Sequence, residues 1–339
     1  MKNLTISFTE PRVVELIGSP VEAPPPGKVQ VELAVSTMSS GTERANLEGN
    51  KSLNINAAPG APTFPRVLGY SSAGTVTAVG EGVTGIEAGQ RVALSWSVYR
   101  RFLNIDCANV YPIPDSVSFE DAAYFHIATF PLAAIRKCRL ELGESAIVMG
   151  MGILGLTAVK LLRLAGAAPV IAVDPNEEKR KKALSCGADF ALDPFAPDFA
   201  SKAKELTGCG AKVGIEVTGI GAGLDGILDC MARFGRVALL GCTRSSDFTI
   251  DYYRKVHGPG ITLIGAHTRA RPEVESHPGW WTQDDDMNAL IKLTATGRLK
   301  LSEMIDERYS PMQAKEVFAR LLESRSFPLV QFDWRLIGK

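Results

Sequence analysis

The strongest structural signal in this chain is the stretch SAIVMGMGILGLTAVKLLRLAGAAPVIAVD, residues 145–174. Two apolar runs within it, 146–149 and 170–173, have the composition of buried parallel strands. Between the runs lie a Gly-x-Gly-x-x-Gly spacing and a helical stretch. Strand, glycine turn, helix and strand in this order predict a βαβ unit that binds a dinucleotide.

The three glycines of this turn have separate expected roles. Gly150 permits the tight turn, Gly152 lets the backbone approach a pyrophosphate, and Gly155 lets the helix pack closely on the strand. The helix is expected to begin at Ile153, so that the backbone N–H groups of Ile153 and Leu154 and the positive end of the helix dipole face the phosphates.

The end of the second apolar run predicts which dinucleotide binds. Asp174 lies 24 residues after Gly150, where an acidic side chain meets the adenosine ribose hydroxyls. A carboxylate at this position repels a 2′-phosphate, so the predicted cofactor is NAD rather than NADP. Further cofactor residues are predicted at the carboxyl ends of two later strands. They are Thr218, Gly219, Gly241 and Cys242.

Bulk composition limits the class of protein. The chain has 339 residues, 45% apolar and 22% charged, which is typical of a globular protein with two domains. Basic and acidic residues balance at 37 each, so charge gives no argument for a nucleic acid or membrane partner. The chain has no apolar run of membrane-spanning length and no signal-peptide core, and its six cysteines are scattered. We therefore expect a cytoplasmic protein with reduced thiols and a small-molecule substrate.

The texture of the sequence changes near residue 120. Residues 1–121 are rich in short alternating strands and turns, and residues 122–267 alternate strand and helix, which predicts a doubly wound parallel sheet. One helix is expected from Ser118, its N-cap, through Lys137. Residues 268–339 contain further strands and are expected to return to the first domain.

Several motifs outside the glycine turn carry a family resemblance that covers almost the whole chain. They are FPRVLGYSSAG (64–74), GEGV (80–83), GQRVA (89–93), PIPDSVS (112–118), VTG (217–219) and GRVALLG (235–241). With these motifs the chain resembles the medium-chain dehydrogenase/reductase superfamily, the fold of zinc alcohol dehydrogenases and quinone reductases. The resemblance implies a GroES-like β-barrel catalytic domain at 1–121 beside an α/β Rossmann domain.

The departures from that family concern zinc. Where zinc members have a cysteine ligand this chain has Ser40, and where they have a histidine ligand it has Tyr70. The third ligand position aligns with His126, and the lobe that holds a structural zinc is missing. A catalytic zinc needs three strong protein ligands, whereas neutral hydroxyls are weak ones. We therefore predict an enzyme with no metal.

The same positions supply the candidate catalytic residues Ser40, Thr42, Tyr70 and His126. Thr42 matches a hydroxyl that begins a proton relay in the zinc enzymes, and it is also a plausible turn cap. Tyr70 either donates a hydrogen bond to a carbonyl or simply fills the vacated metal site. A histidine side chain titrates at about pH 6.5, which suits general acid–base catalysis, but His126 also fits a buried core position.

The substrate pocket and the oligomeric state are the remaining expectations. Trp96 falls where the superfamily has a pocket-lining aromatic residue, and otherwise it belongs to the core. His267 follows the last strand of the parallel sheet and is a candidate for the border of the substrate pocket. Glu43 either faces the substrate or supports residues that do. A strand at 261–265 is expected to form the exposed edge of the parallel sheet. Members of the superfamily commonly pair this edge across a two-fold axis, so a homodimer is predicted.

Four functions stay open at this point. The leading one is a zinc-independent, NAD-dependent oxidoreductase acting on an alcohol or carbonyl, with a sugar or polyol as the substrate class. The second is an NAD(P)H-dependent reductase of activated C=C bonds or quinones. The third is a dinucleotide-binding protein without turnover, and the fourth is a metalloenzyme in which His126 recruits a metal with Glu43 or Cys107.

Overall fold

The computed structural model describes residues 2–50, 64–243, 246, 248–324 and 326–338. Three prolines and a glycine at 56–65 predict a loop there, and all of it except residues 64 and 65 lies outside the described residues. The strands are β1 (Asn3–Glu10), β2 (Val13–Ser19), β3 (Lys28–Thr37), β4 (Arg66–Val67), β5 (Ser71–Val79), β6 (Arg91–Ser95), β7 (Phe102–Asp106), β8 (Val110–Pro112), β9 (Ala146–Met149), β10 (Val170–Val173), β11 (Phe190–Leu192), β12 (Ala211–Glu216), β13 (Met231–Leu239), β14 (Thr262–Gly265), β15 (Glu307–Tyr309) and β16 (Val330–Asp333). The α-helices are α1 (Ser40–Leu47), α2 (Phe119–Ala122), α3 (Phe125–Lys137), α4 (Ile153–Leu164), α5 (Glu177–Ser185), α6 (Phe199–Thr207), α7 (Gly221–Asp229), α8 (Gln283–Ala295) and α9 (Ala314–Glu323).

The chain divides into two compact units. The first unit contains residues 1–127 and 287–339, and the second contains residues 128–286. The boundaries expected from the sequence, after residues 121 and 267, both lie earlier in the chain. The segment after β14 packs within the second unit, where Arg271 Nη1 lies 3.4 Å from Asp286 Oδ2. The assignment of catalysis and cofactor binding to separate domains stays a prediction.

The first unit is built on largely antiparallel sheets. In one sheet β15, β16, β3, β5, β6 and β8 lie in that order, with β7 also pairing with β3. In a smaller sheet β1 lies between β2 and β4. Large apolar side chains from both segments of this unit form its core, which includes Phe8, Tyr99, Phe318, Phe332 and Trp334.

The second unit confirms the predicted doubly wound fold. Its parallel sheet has the order β11, β10, β9, β12, β13, β14. The first strand of the unit, β9, lies in the middle between β10 and β12, and the strand order runs outward from it in both directions. All four residues of β9 and all four of β10 are buried, as their uniformly apolar sequences predict. The strand β14 lies at one edge of the sheet.

The continuous helix expected from Ser118 to Lys137 is wrong, although its cap is correct. The Ser118 side chain accepts a hydrogen bond from Asp121 N, which is the predicted cap. The helix is then interrupted between α2 and α3. The Ala123 carbonyl accepts a hydrogen bond of 2.7 Å from Ser71 Oγ, a side chain distant in the sequence. Long-range pairing of this kind is invisible to local helix signals.

Two properties of the described chain bear on its surroundings. Within the described ranges, no helix combines the length and apolar character that crossing a membrane requires. The six cysteines all have free thiols.

Candidate cofactor and catalytic sites

The glycine turn between β9 and α4 leaves its backbone open where a pyrophosphate is expected. Gly150 has a φ of +102°, and its N–H donates to Val173 O over 2.7 Å. A Cβ at Gly155 would lie only 1.8 Å from Gly150 O, so helix and turn touch there. A Cβ at Gly152 would meet nothing within 4 Å. The α4 helix begins directly after it, so the first N–H groups, at Ile153 and Leu154, follow this open glycine.

Asp174 is tied to this turn. It is 6% exposed, and its Oδ2 accepts a hydrogen bond of 2.8 Å from Met151 N, between the first two glycines. Its Oδ1 accepts one of 2.9 Å from Asn176 N. Each carboxylate oxygen has a second lone pair available for a ribose hydroxyl. The structure therefore places Asp174 beside the glycine turn, and its contact with a ribose stays a prediction.

The later cofactor candidates lie in close backbone contact with one another. A Cβ at Gly241 would lie 2.3 Å from Gly219 N, and one at Gly219 would lie 2.6 Å from Cys242 O. A Cβ at Gly150 would lie 2.9 Å from Thr218 Cγ2. The glycine turn and the ends of β12 and β13 are thus brought together at the carboxyl edge of the sheet.

The sequence reasoning missed Glu216, the last residue of β12. Its carboxylate is buried, and it accepts hydrogen bonds from Thr218 N at 2.7 Å, from the Thr218 hydroxyl and from Gly219 N. Burial raises the pKa of Glu216, and these hydrogen bonds oppose that shift. The signal was available in the sequence, because a carboxylate that ends a buried strand needs hydrogen-bond partners.

In the first unit, the rings of Tyr70 and Trp96 both lie close to the ring of His126. Ser71 begins β5, Ser95 ends β6, and these two residues are directly paired, so their outer neighbours Tyr70 and Trp96 emerge side by side. The His126 ring lies 5.8 Å from the Tyr70 ring and 4.6 Å from the Trp96 ring, edge-on to both. Three of the predicted site residues therefore form one aromatic group.

The strand β5 also fixes the position of His126. Ser71 Oγ donates to Ala123 O and accepts from Ile127 N at 3.4 Å, on either side of the histidine. His126 itself is fully buried. Trp96 is 39% exposed and has a φ of +54°, a left-handed conformation that costs energy for a tryptophan. Such strain is more common at functional sites than in ordinary turns.

The segment 40–43 forms the first turn of α1. Ser40 and Thr42 are half-buried, and the Thr42 hydroxyl lies 3.5 Å from Ser39 Oγ, which donates to it. Glu43 is 1% exposed, and its Oε1 accepts a hydrogen bond of 2.9 Å from the Tyr99 hydroxyl. Its Oε2 is buried with no hydrogen-bond partner among the described residues. Burial raises the pKa of Glu43 to about 8, so the carboxyl is largely protonated at neutral pH. This burial does not favour direct contact between Glu43 and a substrate.

His267 belongs to the second unit and follows β14. It is exposed, and its Nδ1 accepts a hydrogen bond of 3.3 Å from Arg269 N. Partial burial of the ring lowers the pKa of His267, and the nearby cations Arg269 and Lys137 lower it further. The residue is therefore neutral at physiological pH and can accept or donate a hydrogen bond.

The residues at the expected metal position do not fit a catalytic zinc. They offer one imidazole, packed edge-on to two aromatic rings, and the two hydroxyls of Ser40 and Tyr70. Across the described ranges, no group of three or more histidine, cysteine or acidic side chains could hold a metal ion. Glu43, a predicted partner of His126 in the metal-binding alternative, has its Oε1 bound to the Tyr99 hydroxyl. Zinc therefore has no role in the chemistry proposed for this chain.

Comparison with known proteins gives consistent matches along the chain. Residues 154–277 match the family model described as zinc-binding dehydrogenase, and residues 26–115 match the model described as alcohol dehydrogenase GroES-like domain. The chain is 25% identical to an L-threonine 3-dehydrogenase of Pyrococcus horikoshii, over 95% of this chain and 96% of that protein. It is 26% identical to a D-guloside 3-dehydrogenase of Escherichia coli K12, over 70% of this chain and 69% of that protein.

A solved structure gives the same picture of the fold. It is a short-chain alcohol dehydrogenase from Escherichia coli CFT073, complexed with the cofactor NADH. It superposes with a TM-score of 0.82 at 17% identity and covers 98% of this chain and 100% of that chain. At this identity the likeness establishes a shared architecture.

Proposed function

The chain belongs to the medium-chain dehydrogenase/reductase superfamily, a family of oxidoreductases, and from this premise we propose that it is an NAD-dependent, zinc-independent alcohol dehydrogenase. The observation that carries the proposal is the open glycine turn at 150–155 with Asp174 bound to it. NAD supplies the hydride chemistry when bound, at the nicotinamide ring. The chain supplies binding, orientation and a proton.

The second unit holds the cofactor. Main-chain N–H groups after Gly152 would bind the pyrophosphate, and Asp174 would accept hydrogen bonds from the hydroxyls of the adenosine ribose. Thr218, Gly219 and the segment 241–242 line the nicotinamide half. A carboxylate at 174 disfavours a 2′-phosphate, which supports NAD over NADP.

The aromatic group of the first unit replaces the metal. Without zinc, a carbonyl oxygen needs another hydrogen-bond donor, and the Tyr70 hydroxyl is of that type. Thr42 and the fully buried His126 are the groups proposed to relay the proton of the substrate. General acid–base catalysis of this kind contributes roughly 10²- to 10⁴-fold in rate.

The proposed substrate is a secondary alcohol or the matching ketone, carried on a sugar or polyol. The relatives named above are dehydrogenases of L-threonine and of a D-guloside, and both names specify oxidation at carbon 3. Reduction of an activated C=C bond or a quinone is the competing chemistry, because hydrogen bonds alone can hold the enolate.

We also propose that the protein is cytoplasmic and acts as a homodimer. Free thiols support the first point. The edge strand β14 supports the second, because Thr262 and Leu263 are both exposed there.

Two measurements test this function together. Zinc content per chain is measured by mass spectrometry on untagged protein purified without chelators, and a value near zero is expected. The same protein is assayed with NAD against sugar alcohols and with NADH against enones and quinones. Turnover of a secondary alcohol that EDTA leaves unchanged and that Tyr70→Phe reduces supports the proposal. About one zinc per chain would overturn it, and turnover of enones alone would transfer the chain to the reductase class. Binding of NADH without any turnover would indicate a binding protein.

A further inference from the structure

We propose that Glu216 is a positioning residue that fixes the nicotinamide side of the cofactor site and leaves the adenosine side to Asp174. This inference rests on the proposed function, because it deepens the assignment of the same site. Glu216 makes no predicted contact with the cofactor. It acts through the segments 217–219 and 240–242, which line the nicotinamide half.

The side chain of Glu216 accepts hydrogen bonds from the segment 217–219. Oε1 accepts from Thr218 N at 2.7 Å and from the Thr218 hydroxyl, and the two oxygens lie 3.2 and 3.1 Å from Gly219 N. Among the described residues, no salt bridge reaches this carboxylate. A buried carboxylate normally needs a cation or several donors. Here the donors come from the cofactor-lining loop itself.

The main chain of Glu216 holds the other segment. Its carbonyl oxygen accepts hydrogen bonds from Leu240 N and Gly241 N, both at 2.9 Å. One residue therefore organises the ends of both β12 and β13. Because these ends are separate in sequence, their relative position depends on such cross-links.

The packing beside Glu216 is tight on the side that faces α7. A Cβ at Gly223, in the first turn of α7, would lie 2.1 Å from Thr218 Oγ1 and 3.1 Å from Glu216 Oε1. Only a glycine at this position lets the carboxylate and the hydroxyl approach the start of the helix. The loop is thus held from the strand side and closed in from the helix side.

The two halves of the cofactor site are consequently supported by different carboxylates. Asp174 accepts from Met151 N and Asn176 N, which belong to the adenosine side. Glu216 accepts from Thr218 and Gly219. Loss of Glu216 should therefore weaken a ligand that carries nicotinamide much more than one that lacks it.

The test compares NADH with ADP-ribose, which has the adenosine half and the pyrophosphate but no nicotinamide. Dissociation constants are measured by titration calorimetry for the wild type, Glu216→Gln and Thr218→Val. In Glu216→Gln an amide N–H faces Gly219 N–H, so a donor meets a donor. We expect the affinity for NADH to fall about tenfold, as for the loss of one or two hydrogen bonds, while the affinity for ADP-ribose changes less than twofold. Thr218→Val should also lower the affinity for NADH more than the affinity for ADP-ribose, but by a smaller factor.

Controls separate the possible failures. Asp174→Asn should weaken both ligands, and Glu178→Gln, an exposed glutamate of the same unit, should weaken neither. Equal losses for NADH and ADP-ribose in Glu216→Gln would mean that Glu216 supports the unit as a whole, and would overturn the inference. If it destabilises the unit, Thr218→Val makes the same comparison on its own. Failure of the wild type to bind ADP-ribose would instead overturn the proposed cofactor site, and the inference with it.

Discussion

Three buried carboxyl groups differ in their partners, and those partners determine the chemistry of each. Asp174 accepts hydrogen bonds from two main-chain N–H groups, and Glu216 accepts hydrogen bonds from Thr218 and Gly219. Glu43 has only the Tyr99 hydroxyl on Oε1, and its Oε2 has no partner within the part of the chain that the structure describes. Burial with so little compensation keeps a proton on Glu43.

Glu43 should therefore make stability depend on pH. Its folded pKa of about 8 lies above the ordinary glutamate pKa of 4.5, so between these two pH values the unfolded chain loses a proton that the folded chain keeps. The free energy of unfolding should fall as pH rises through this window and level off above it. Glu43→Gln should remove this decline and be more stable than the wild type at pH 8.5 by at least about 1 kcal/mol. Urea unfolding of both proteins at pH 5.5, 7 and 8.5 measures it.

The control for this prediction is Glu48→Gln, at the exposed end of the same helix. It should leave the pH dependence unchanged. Parallel pH profiles for Glu43→Gln and the wild type would show that Glu43 is ionised in the folded protein.

Asp174 should control the choice between NAD and NADP. Removing the carboxylate in Asp174→Ala deletes an acceptor for the ribose and a charge that repels a 2′-phosphate. The affinity for NADH should fall about tenfold or more, and the preference for NADH over NADPH should shrink. Fluorescence titration with both cofactors measures this, with Glu178→Ala as an exposed control. An unchanged ratio of the two affinities would contradict the role of Asp174.

At the scale of elements, different glycines of the turn between β9 and α4 are expected to serve stability and cofactor binding. Gly155→Ala places a Cβ against the backbone of Gly150 and should destabilise the second unit by on the order of 2 kcal/mol or more. Gly152→Ala places its Cβ in open space, so the melting temperature should not change. The methyl group does, however, occupy the path of the pyrophosphate, so NADH binding should fall at least about tenfold.

Melting temperatures and NADH titrations of the two variants check this prediction. Gly41→Ala, which also meets nothing within 4 Å but lies in the first unit, should change neither quantity. Normal NADH affinity in Gly152→Ala would contradict the prediction that the pyrophosphate binds at this turn.

The sequence predicts these elements well where the signal is local. The apolar runs at 146–149 and 170–173 coincide with β9 and β10, because fully buried strands need uniformly apolar residues. Features that depend on distant partners were not predictable. The break between α2 and α3 depends on Ser71, and the burial of Glu43 depends on Tyr99. A pattern read along the chain contains neither contact.

At the scale of the whole molecule, the edge strand β14 is the feature with the clearest consequence. Its Leu263 is 38% exposed, and an exposed edge strand is a template for pairing with another chain. If this edge forms the homodimer, Leu263→Lys should yield monomers, because it places a charge in the interface. Sedimentation velocity measures the mass, and Leu142→Lys, at a leucine that is 88% exposed in the same unit, should leave the dimer intact. A dimer that tolerates Leu263→Lys would place the interface elsewhere.

The first unit is made from two separate segments of the chain, and this affects how the protein folds while the ribosome synthesises it. The second unit is continuous, and Arg136 near its start lies 2.7 Å from Asp286 at its end, so it can close before synthesis is complete. The first unit cannot, because β3 pairs with β16 and Phe332 and Trp334 belong to its core. The amino-terminal half must therefore wait, with an open edge on β3, until the last strand is translated. An unpaired strand edge of this kind is prone to associate with other chains, so we expect a fragment that ends before the last strand to aggregate rather than to act as a shorter enzyme.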